Sequence, residues 1–581
     1  MDDTTYPMKT ASNKREGYLR RYGALKSERS SWITHWSDLS KHILPRNGRF
    51  FVSDRNRTGR DRYNSIYDNT ATRSQRVLSA GMMAGVTSPA RPWFRLTTPD
   101  PDLSEFYPVR AWLDNVVDRM QRVFARSNVY RALHQAYEEL STFGTACVLV
   151  LPDFNNVIHC YPITAGEYCL QQDYQGRVVA LYREFQKTVG EVVKEFGYEN
   201  CSIAVQQAWN ERQHENTVDI LHVIEPRGDQ ERDFNSPDAK DMPYRSCYLE
   251  LGGDEEKLLR ESGFERFPVL APRWQVAGGD VYGTSPGMEA LGDIRQLQQE
   301  QLRKGQAIDY KTKPPLQVPS RLANQEHEFY PSGVSYYEPG QMLPFDQVGP
   351  NGGIRTAFEV NLQLDHLLMD IQDVRMRIQR AFYEDLFLML ANAGPNTRMT
   401  ATEVAERHEE KLLMLGPVLE RLHNELLQPL IDITFDEMLA AGAIPPPPPE
   451  LYGVDLSVEF VSILAQAQQA IGSNSIDRFM GNVMQLAQVK PEILDKVNFD
   501  KWVDNYSQML GVDTELVVDD DTVRALREAR AQAQAAAEQV KLQQQAAAAT
   551  RDLASSPTGQ GQQNALTDVM SQLTGYSNPT R

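Results

Sequence analysis

The fold of this chain is decided by a long helical segment from Met399 to Ala441, which reads MTATEVAERHEEKLLMLGPVLERLHNELLQPLIDITFDEMLAA. Thr400 and Glu403 predict a capping box at its start, because each side chain can satisfy the other's free backbone N–H. Large apolar residues then recur mostly at threes and fours, as one buried helix face requires: Val404, Leu412, Leu415, Leu419, Leu422, Leu426, Leu430 and Ile433. Gly416 and Pro417 interrupt this pattern, and because proline has no N–H we predict a bend there. Pro429 is the candidate for a second bend.

Two further helices are predicted upstream. The first opens at Ser285-Pro286, an N-cap residue followed by proline at the first helical position. Its apolar stripe is narrow, which suits a helix packed beside copies of itself. The second has apolar residues at helical spacing: Leu364, Leu368, Ile371, Val374, Ile378 and Phe382. Between them, residues 314–353 contain seven prolines and five glycines, which predicts short strands and turns.

Composition limits the classes of protein that the chain can belong to. Its 581 residues predict three or four domains, and a formal net charge of −18 argues against a surface that coats nucleic acid, although local basic patches stay possible. The five cysteines form an odd set without a CxxC spacing, which predicts reduced thiols in a cytoplasmic compartment. The N-terminus has no secretion signal and no apolar run reaches eighteen residues, so we expect no membrane contact.

The N-terminal half of the sequence predicts an α/β region up to about residue 280. Helices are expected at 13–45, within 66–96, near 107–127 and at 130–143, and strands at 147–151 and near 157–161, 178–183, 218–224 and 245–251.

The C-terminal part is organised around a stiff polyproline connector from Pro445 to Pro449, which we interpret as a spacer. A strand and several short helices are predicted over 454–518. An Ala/Gln-rich helix over 521–550 then spans roughly 44 Å. It has few large apolar side chains, so it requires packing against equivalent helices. Residues 551–581 have no apolar period, which predicts a disordered tail.

One motif could carry chemistry. Residues 283–287, Gly-Thr-Ser-Pro-Gly, match a hydrolase nucleophile elbow, but Pro286 lacks the N–H that the oxyanion hole needs. Helix capping by Ser285 explains the same residues. The sequence also lacks a phosphate-binding P-loop, a dinucleotide motif and a zinc-protease motif, and its histidines are scattered. We therefore predict no catalytic, cofactor-binding or metal-binding residues.

Basic residues cluster on the two upstream helices. They are Arg303, Lys304, Lys311 and Lys313 on the first, and Arg375, Arg377 and Arg380 on the second. Ordinary ion pairs on a solvated face are one interpretation. If many copies form a ring, each basic position becomes a band of charge that can contact the phosphates of a central DNA.

The sequence resembles the head-to-tail connector, or portal, proteins of short-tailed bacteriophages over residues 13 to 470. The resemblance is carried by 21–29 (RYGALKSER), 81–94 (GMMAGVTSPARPWF), 143–145 (FGT), 282–286 (YGTSP), 399–404 (MTATEV), 415–417 (LGP) and 464–468 (LAQAQ). It implies a mixed α+β, helix-rich subunit of a ring, usually of twelve copies, at one capsid vertex of the virion. Through that ring, double-stranded DNA is packaged without sequence specificity and later ejected.

The resemblance also gives names to the predicted segments. It implies an N-terminal region and α/β wing at 1–282, stem helices at 283–313 and 354–390, a small α/β clip at 314–353, a tunnel loop at 391–399, a kinked wing helix at 400–444, a proline linker and helical crown at 445–520, a barrel helix at 521–550 and a tail at 551–581. In the tunnel loop, Asn392, Gly394, Asn396 and Arg398 are the expected DNA-facing residues. The implied partners are a terminase motor, major capsid and scaffolding proteins and a tail adaptor, with assembly in the host cytoplasm.

Three hypotheses follow from these observations. The first is a non-catalytic ring and DNA conduit that serves as a docking platform. The alternative is an enzymatic component of the DNA packaging machinery, which an ATPase or nuclease assay would reveal. The third is an adaptor or scaffold protein, which would lack an open axial channel.

Overall fold

The computed structural model describes residues 11–50, 65–100, 103–104, 106–228, 231–233, 236, 238–253, 257–312, 316–317, 355–356, 364–392, 414–462, 483, 499, 502–503, 520–555 and 573. The chain divides into two compact units, Met1–Ser473 and Asn474–Arg581. Both helices and sheets are present, so the fold is mixed α+β and rich in helix, as the sequence predicts.

The first unit contains most of the described elements. Its helices are α1 (Ala11–His42), α2 (Thr70–Gly85), α3 (Tyr107–Arg126), α4 (Val129–Phe143), α5 (Val189–Phe196), α6 (Ile203–Asn210), α7 (Pro286–Glu289), α8 (Leu291–Thr312), α9 (Leu364–Ala381), α10 (Glu384–Asn392) and α11 (414–440). Its strands are β1 (Phe94–Thr97), β2 (Cys147–Asp153), β3 (Val157–Ile163), β4 (Tyr168–Gln172), β5 (Val178–Thr188), β6 (Thr217–Pro226), β7 (Tyr244–Glu250), β8 (Arg260–Phe264), β9 (Val269–Leu270), β10 (Leu316–Gln317), β11 (Arg355–Thr356) and β12 (Ser457–Phe460). Three short 3₁₀ turns lie at Tyr198–Asn200, Ala239–Asp241 and Pro449–Leu451.

The strands form antiparallel sheets. The largest has five strands in the order β4-β5-β6-β7-β8, and a three-stranded sheet has the order β3-β2-β9. Strand β1 pairs with β12, with Phe94 opposite Phe460, so a segment that follows the long helix α11 completes a sheet that begins near residue 94. The sequence predicts β2, β3, β5, β6 and β7, short strands within 314–353 where β10 lies, and a strand after residue 454 where β12 lies. It does not predict β1, β4, β8, β9 or β11.

One large apolar core joins helices α1, α2 and α4 to helices α8 and α9, which lie on either side of 313–363. It contains Trp36 from α1, Leu78 from α2, Tyr137 from α4, Ile294 from α8 and Val374 from α9. Two smaller apolar clusters involve the five-stranded sheet. In one, Tyr18 and Tyr22 of α1 pack against the sheet, and in the other, apolar residues of α5 and α6 do so. Helices α8 and α9 are therefore anchored at one end in the main core.

The polyproline connector is held against helix α3. Trp112 Nε1 donates to the carbonyl of Pro445 at 3.0 Å, and Arg119 Nη1 donates to the carbonyl of Ala443 at 2.8 Å. The first residue of the connector that was predicted to act as a spacer is thus hydrogen-bonded to helix α3.

The second unit is described chiefly by helix α12, which runs from Asp520 to Ser555. It begins one residue before and ends five residues after the predicted 521–550, and its 36 residues span about 54 Å. Its large apolar side chains Leu526, Val540 and Leu542 are exposed in the single chain. Among the described residues, no helix is both long enough and apolar enough to cross a membrane.

The five cysteines are all free and buried. Burial raises the pKa of each thiol above its ordinary value. They act as small apolar core residues.

Candidate functional site

Helix α7 begins at Ser285, which is a cap and not a nucleophile. Its hydroxyl oxygen accepts a hydrogen bond from the backbone N–H of Met288 at 3.1 Å, and Pro286 occupies the first helical position. The same hydroxyl donates to the carbonyl of Thr142 at 2.7 Å, and the residue is buried. The predicted N-cap is confirmed, and the hydrolase interpretation has no accessible hydroxyl to support it.

Two glycines cross directly beside this cap. A Cβ atom added to Gly283 would lie 2.4 Å from the carbonyl oxygen of Gly144, and one added to Gly144 would lie 2.1 Å from the carbonyl oxygen of Gly283. Gly144 also has a φ of +76°, which disfavours any side chain. Thr145 Oγ1 accepts from the N–H of Gly283 at 2.8 Å. The start of α7 and α8 is thereby fixed to the end of α4.

Helices α8 and α9 pack as an antiparallel pair. Asp293, near the start of α8, accepts a hydrogen bond at 3.0 Å from Arg377, near the end of α9. One heptad further along α8, Glu300 lies against Asp370, and burial together with this neighbouring carboxyl raises the pKa of Glu300. Beyond the helices, β10 and β11 continue the antiparallel pairing, with Leu316 opposite Thr356.

Asp68 ties this helix pair to the N-terminus of α2. One carboxylate oxygen accepts from Arg375 at 2.7 Å and from Gln301 at 3.1 Å, while the other accepts from the N–H of Thr70 at 2.9 Å. Burial alone would raise the pKa of Asp68, but the hydrogen bonds from Thr70 and Arg375 outweigh it and lower that pKa. The side-chain oxygen of Gln298 also accepts from the backbone N–H of Asp68 at 2.9 Å.

The basic residues of the pair divide into two groups. Arg375 and Arg377 form ion pairs, with Asp68 and with Asp293 and Asp373. The others lie on the surface or are half-buried and have no ion pair with any residue that the structure describes: Arg303, Lys304, Lys311 and Arg380. Lys313 lies outside the described residues. The ion-pair interpretation therefore applies to Arg375 and Arg377, and the other four cations have no acidic partner within the described part of the chain.

Apolar burial is confined to one end of the pair. Ile294 and Leu297 of α8, and Val374 and Ile378 of α9, are fully buried. Toward the other end, Ile308 is 40% exposed and Met369 is 69% exposed. Among the described residues, this outer half has little apolar burial beyond Leu367, which packs against the main core.

Most of the predicted loop and cap residues lie outside the described part of the chain. Asn392 is the last residue of helix α10, so the segment that follows α9 stays helical up to that residue. Gly394, Asn396, Arg398, Thr400 and Glu403 are not among the described residues, and their roles stay predictions. Between α9 and α10, Tyr383 has a φ of +53°, a conformation that side chains rarely adopt, so this is where the helical path changes.

Helix α11 departs from regular geometry close to Pro429, and the bend predicted at Gly416 and Pro417 stays a prediction. Gly416 and Pro417 lie within a continuous helical stretch, 414–422, whereas His423–Leu427 forms a π-helical turn. The N–H of Gln428 reaches back to the carbonyl of His423, and Pro429 follows immediately. A π turn inserts one residue and is a known cause of helix bending. The structure thus places the irregularity beside Pro429, the secondary candidate.

The π turn is held by contacts on two sides. The His423 ring stacks on Phe460 of β12, with ring centroids 4.0 Å apart, and burial lowers its pKa to about 4. The carboxylate of Glu425 accepts from Arg273 Nη2 at 2.6 Å and from the backbone N–H of Arg273 at 2.9 Å. Arg273 Nη2 also donates to the carbonyl of Gly176 at 2.7 Å, so the long helix is fixed to the β4–β5 turn.

Sequence reasoning did not find Asp68, Arg273 or Glu425. Each of these residues acts through a partner more than a hundred positions away, for example Arg375 for Asp68. A single charged residue gives no periodic signal, so no local pattern could have identified these pairs.

These contacts define a structural subunit: a helix pair fixed at one end by a glycine crossing, a buried cap and a carboxylate clamp. Among the described residues, no group of three or more potential metal ligands is found.

The chain belongs to the family described as "Bacteriophage head to tail connecting protein", whose family model matches residues 15–518. It is 57% identical to the "Probable portal protein" of Bordetella phage BPP-1, over 97% of this chain and 99% of that protein. It is 45% identical to the "Portal protein" of Salmonella phage epsilon15, over 94% of this chain and 97% of that protein. The "Portal protein" of Escherichia phage T7 is 23% identical, over 75% and 76% of the two chains. The predicted family is confirmed, and the chain is a head-to-tail connector, or portal, protein.

Proposed function

We propose that this portal protein assembles into a closed ring of twelve copies at one capsid vertex of the virion. The ring acts as a conduit through which double-stranded DNA is packaged and ejected. In this proposal α8 and α9 are the stem, the region 314–353 is the clip, 391–399 is the tunnel loop, 400–444 is the wing helix and α12 belongs to a barrel. The ring also provides a platform for a terminase, for capsid and scaffolding proteins and for a tail adaptor, and it has no catalysis of its own.

The observation that carries the proposal is the bare outer half of the α8–α9 pair. Its apolar side chains, such as Ile308 and Met369, are exposed among the residues that the structure describes, and neighbouring copies of the same pair would cover them. The uncommitted cations Arg303, Lys304 and Lys311 lie on the same half, where copies arranged around an axis would repeat them as bands of positive charge.

Native mass measurement and electron microscopy of the purified protein test the ring. We expect a particle with an open axial channel and a mass near twelve times 65.9 kDa. A chain that stays monomeric at every concentration would contradict the proposal, and a particle without a channel would favour an adaptor or scaffold.

A triple variant, Arg303→Ala with Lys304→Ala and Lys311→Ala, tests the contact with DNA. Loss of phosphate contacts should weaken binding uniformly across sequences and lower the salt dependence of binding by about one unit of slope per lost contact. Arg377→Ala is the matched control, because that cation is already paired with Asp293. Equal DNA binding by both variants would show that Arg303, Lys304 and Lys311 are solvated surface residues that do not contact DNA.

The tunnel loop is tested by shortening residues 393–396 while Thr400 and Glu403 are kept. Rings should still assemble, but DNA packaging or retention should fall. Normal packaging and retention would show that the loop is only a helix connector.

The enzymatic alternative is not proposed. The relatives are named portal proteins, and Ser285 uses its hydroxyl in helix capping.

A further inference from the structure

A polar cavity of about 710 Å³ lies where α2, α8 and α9 meet. Its walls include Asn69, the N-cap residue of α2, Arg73 from the first turn of α2, and Gln372, Arg375 and Gln379 from α9. Among the described residues, no group of potential metal ligands lies there. Of the contacts described above, only those of Asp68 and its partners lie on the cavity wall.

Several hydrogen-bond donors of the cavity walls have no hydrogen-bond acceptor among the described residues, although Arg73 and Arg375 each form an ion pair. The Arg73 side chain is 65% exposed, and its nearest carboxylate oxygen, on Glu384, is 3.7 Å away, which is longer than a hydrogen bond. Arg375 uses Nε and Nη2 on Asp68, and its Nη1 makes no hydrogen bond with a residue that the structure describes. The side-chain amides of Gln372 and Gln379 make no hydrogen bond with any residue that the structure describes.

The two carboxylates of this region are already satisfied. Asp68 accepts from Thr70, Gln301 and Arg375, and Glu384 accepts from the hydroxyl of Ser74 at 2.6 Å. Neither carboxylate is therefore a free acceptor for the cavity, and the other side-chain acceptors of its wall are neutral amide and hydroxyl oxygens. A carboxylate is an acceptor that a guanidinium group binds strongly, through two parallel hydrogen bonds.

An exposed apolar stripe borders the cavity. Met369 and Met376 lie three residues before and four residues after Gln372, so all three residues share one face of α9. These methionines are 69% and 46% exposed, and Tyr67 at the edge of the cavity is 56% exposed. Apolar and aromatic surface around a few charged anchors is typical of a protein interface.

We propose that this cavity receives a carboxylate side chain from a second copy of this chain, and that the methionine stripe packs beside it. This inference rests on the proposed ring, and it assigns the cavity and the two methionines to the contact between neighbouring subunits. The chain has 78 acidic against 60 basic residues, so the surface of a neighbouring copy is rich in carboxylates. Two copies of a chain with a net charge of −18 repel each other unless a cationic site faces an acidic one.

The test compares Arg73→Ala with Arg76→Ala in the full chain. Both arginines are exposed and lie one turn apart on α2, but Arg76 is not part of the cavity wall. Ring dissociation is followed by analytical ultracentrifugation over a range of protein and NaCl concentrations. Arg73→Ala should weaken subunit association about tenfold, the scale of one hydrogen bond to a charged group, and Arg73→Lys should restore part of the loss. Arg76→Ala should match the wild type.

A second measurement does not depend on stability. A photo-crosslinking residue, p-benzoylphenylalanine, is placed at Gln372 in the cavity wall and, as a control, at Gln206 on α6. Illumination of assembled protein should produce covalent dimers with the first variant only. Rings that dissociate alike with Arg73→Ala and Arg76→Ala, or the absence of dimers from the Gln372 variant, would overturn the proposal.

Other occupants are separate outcomes. If Arg73→Ala leaves association unchanged but lowers binding of inorganic phosphate or duplex DNA, the cavity takes a free anion and the proposal is wrong. A wild-type chain that never assembles would contradict the proposed ring itself, whereas intact rings indifferent to Arg73 would contradict only the role of the cavity.

Discussion

Replacement of Glu425 by glutamine should destabilise the subunit strongly. Both carboxylate oxygens accept hydrogen bonds from Arg273, at 2.6 Å from Nη2 and 2.9 Å from the backbone N–H. The amide group of glutamine would therefore face a donor in either orientation. The Arg273 side chain is only 4% exposed, so its charge would remain buried without a counter-charge.

The expected loss in the free energy of unfolding is about 3 kcal/mol, at the lower end for a broken buried ion pair. The lower end applies because the carbonyl of Gly176 still accepts from Arg273. Urea denaturation at a fixed protein concentration, followed by tryptophan fluorescence, measures the change. The control is Asp373→Asn, which removes a partner of Arg377 that is 61% exposed, and it should cost less than about 0.5 kcal/mol.

A double variant separates the lost charge from the lost shape. Arg273→Met combined with Glu425→Leu leaves no buried charge, so it should be less destabilised than Glu425→Gln alone. If Glu425→Gln and Asp373→Asn have equal effects, Glu425 does not fix the π turn through Arg273 and the argument fails.

Three further predictions concern the fixed end of the helix pair and the core. Ser285→Ala should lower stability by about 1 kcal/mol through loss of the N-cap, measured as a fall in Tm. Gly283→Ala should prevent folding, since its Cβ would lie 2.4 Å from the Gly144 carbonyl; a soluble, assembled variant would contradict the crossing. Burial raises the pKa of Glu139 from 4.5 to about 7, so the folded state favours the protonated acid. Its stabilisation is complete below pH 4.5 and is lost as the pH rises through 7. Relative to Glu139→Gln, wild-type stability should therefore fall by about 3 kcal/mol between pH 4.5 and 8, and parallel pH profiles would refute this.

The sequence could predict features whose signals are local. The Ser285-Pro286 start of α7 needs only neighbouring residues, and the structure confirms it. Helices such as α3 and α4 have a strong 3.6-residue period, and they lie within two residues of the predicted bounds. Family membership could also be predicted, because short motifs such as 282–286 are carried by the chain itself.

The π turn shows where periodicity fails. A uniform helix would continue its buried face from Leu422 to Leu426 and Leu430, and these residues are indeed buried. Leu427, Ile431 and Met438 are buried as well. Adjacent apolar pairs such as Leu426-Leu427 and Leu430-Ile431 present a buried face in a regular helix and also in one with an inserted residue. Pro429 was therefore the only local indication of the π turn. The clamp at Asp68 was beyond prediction because it needs two helices that are distant in sequence.

The pairing of β1 with β12 affects how the chain is made. Thr97 lies opposite Ser457, so 360 residues must be synthesised after β1 before its partner exists. At about 5–20 residues per second, the nascent chain carries an unpaired strand edge for roughly 20–70 seconds. Trp93 and Phe94 are buried in the finished protein, and during this time they would lack the cover that β12 gives. The sheet formed by β1 and β12 is therefore completed late in synthesis. A chaperone or rapid packing by α3 would protect the nascent chain from aggregation until residue 460 emerges.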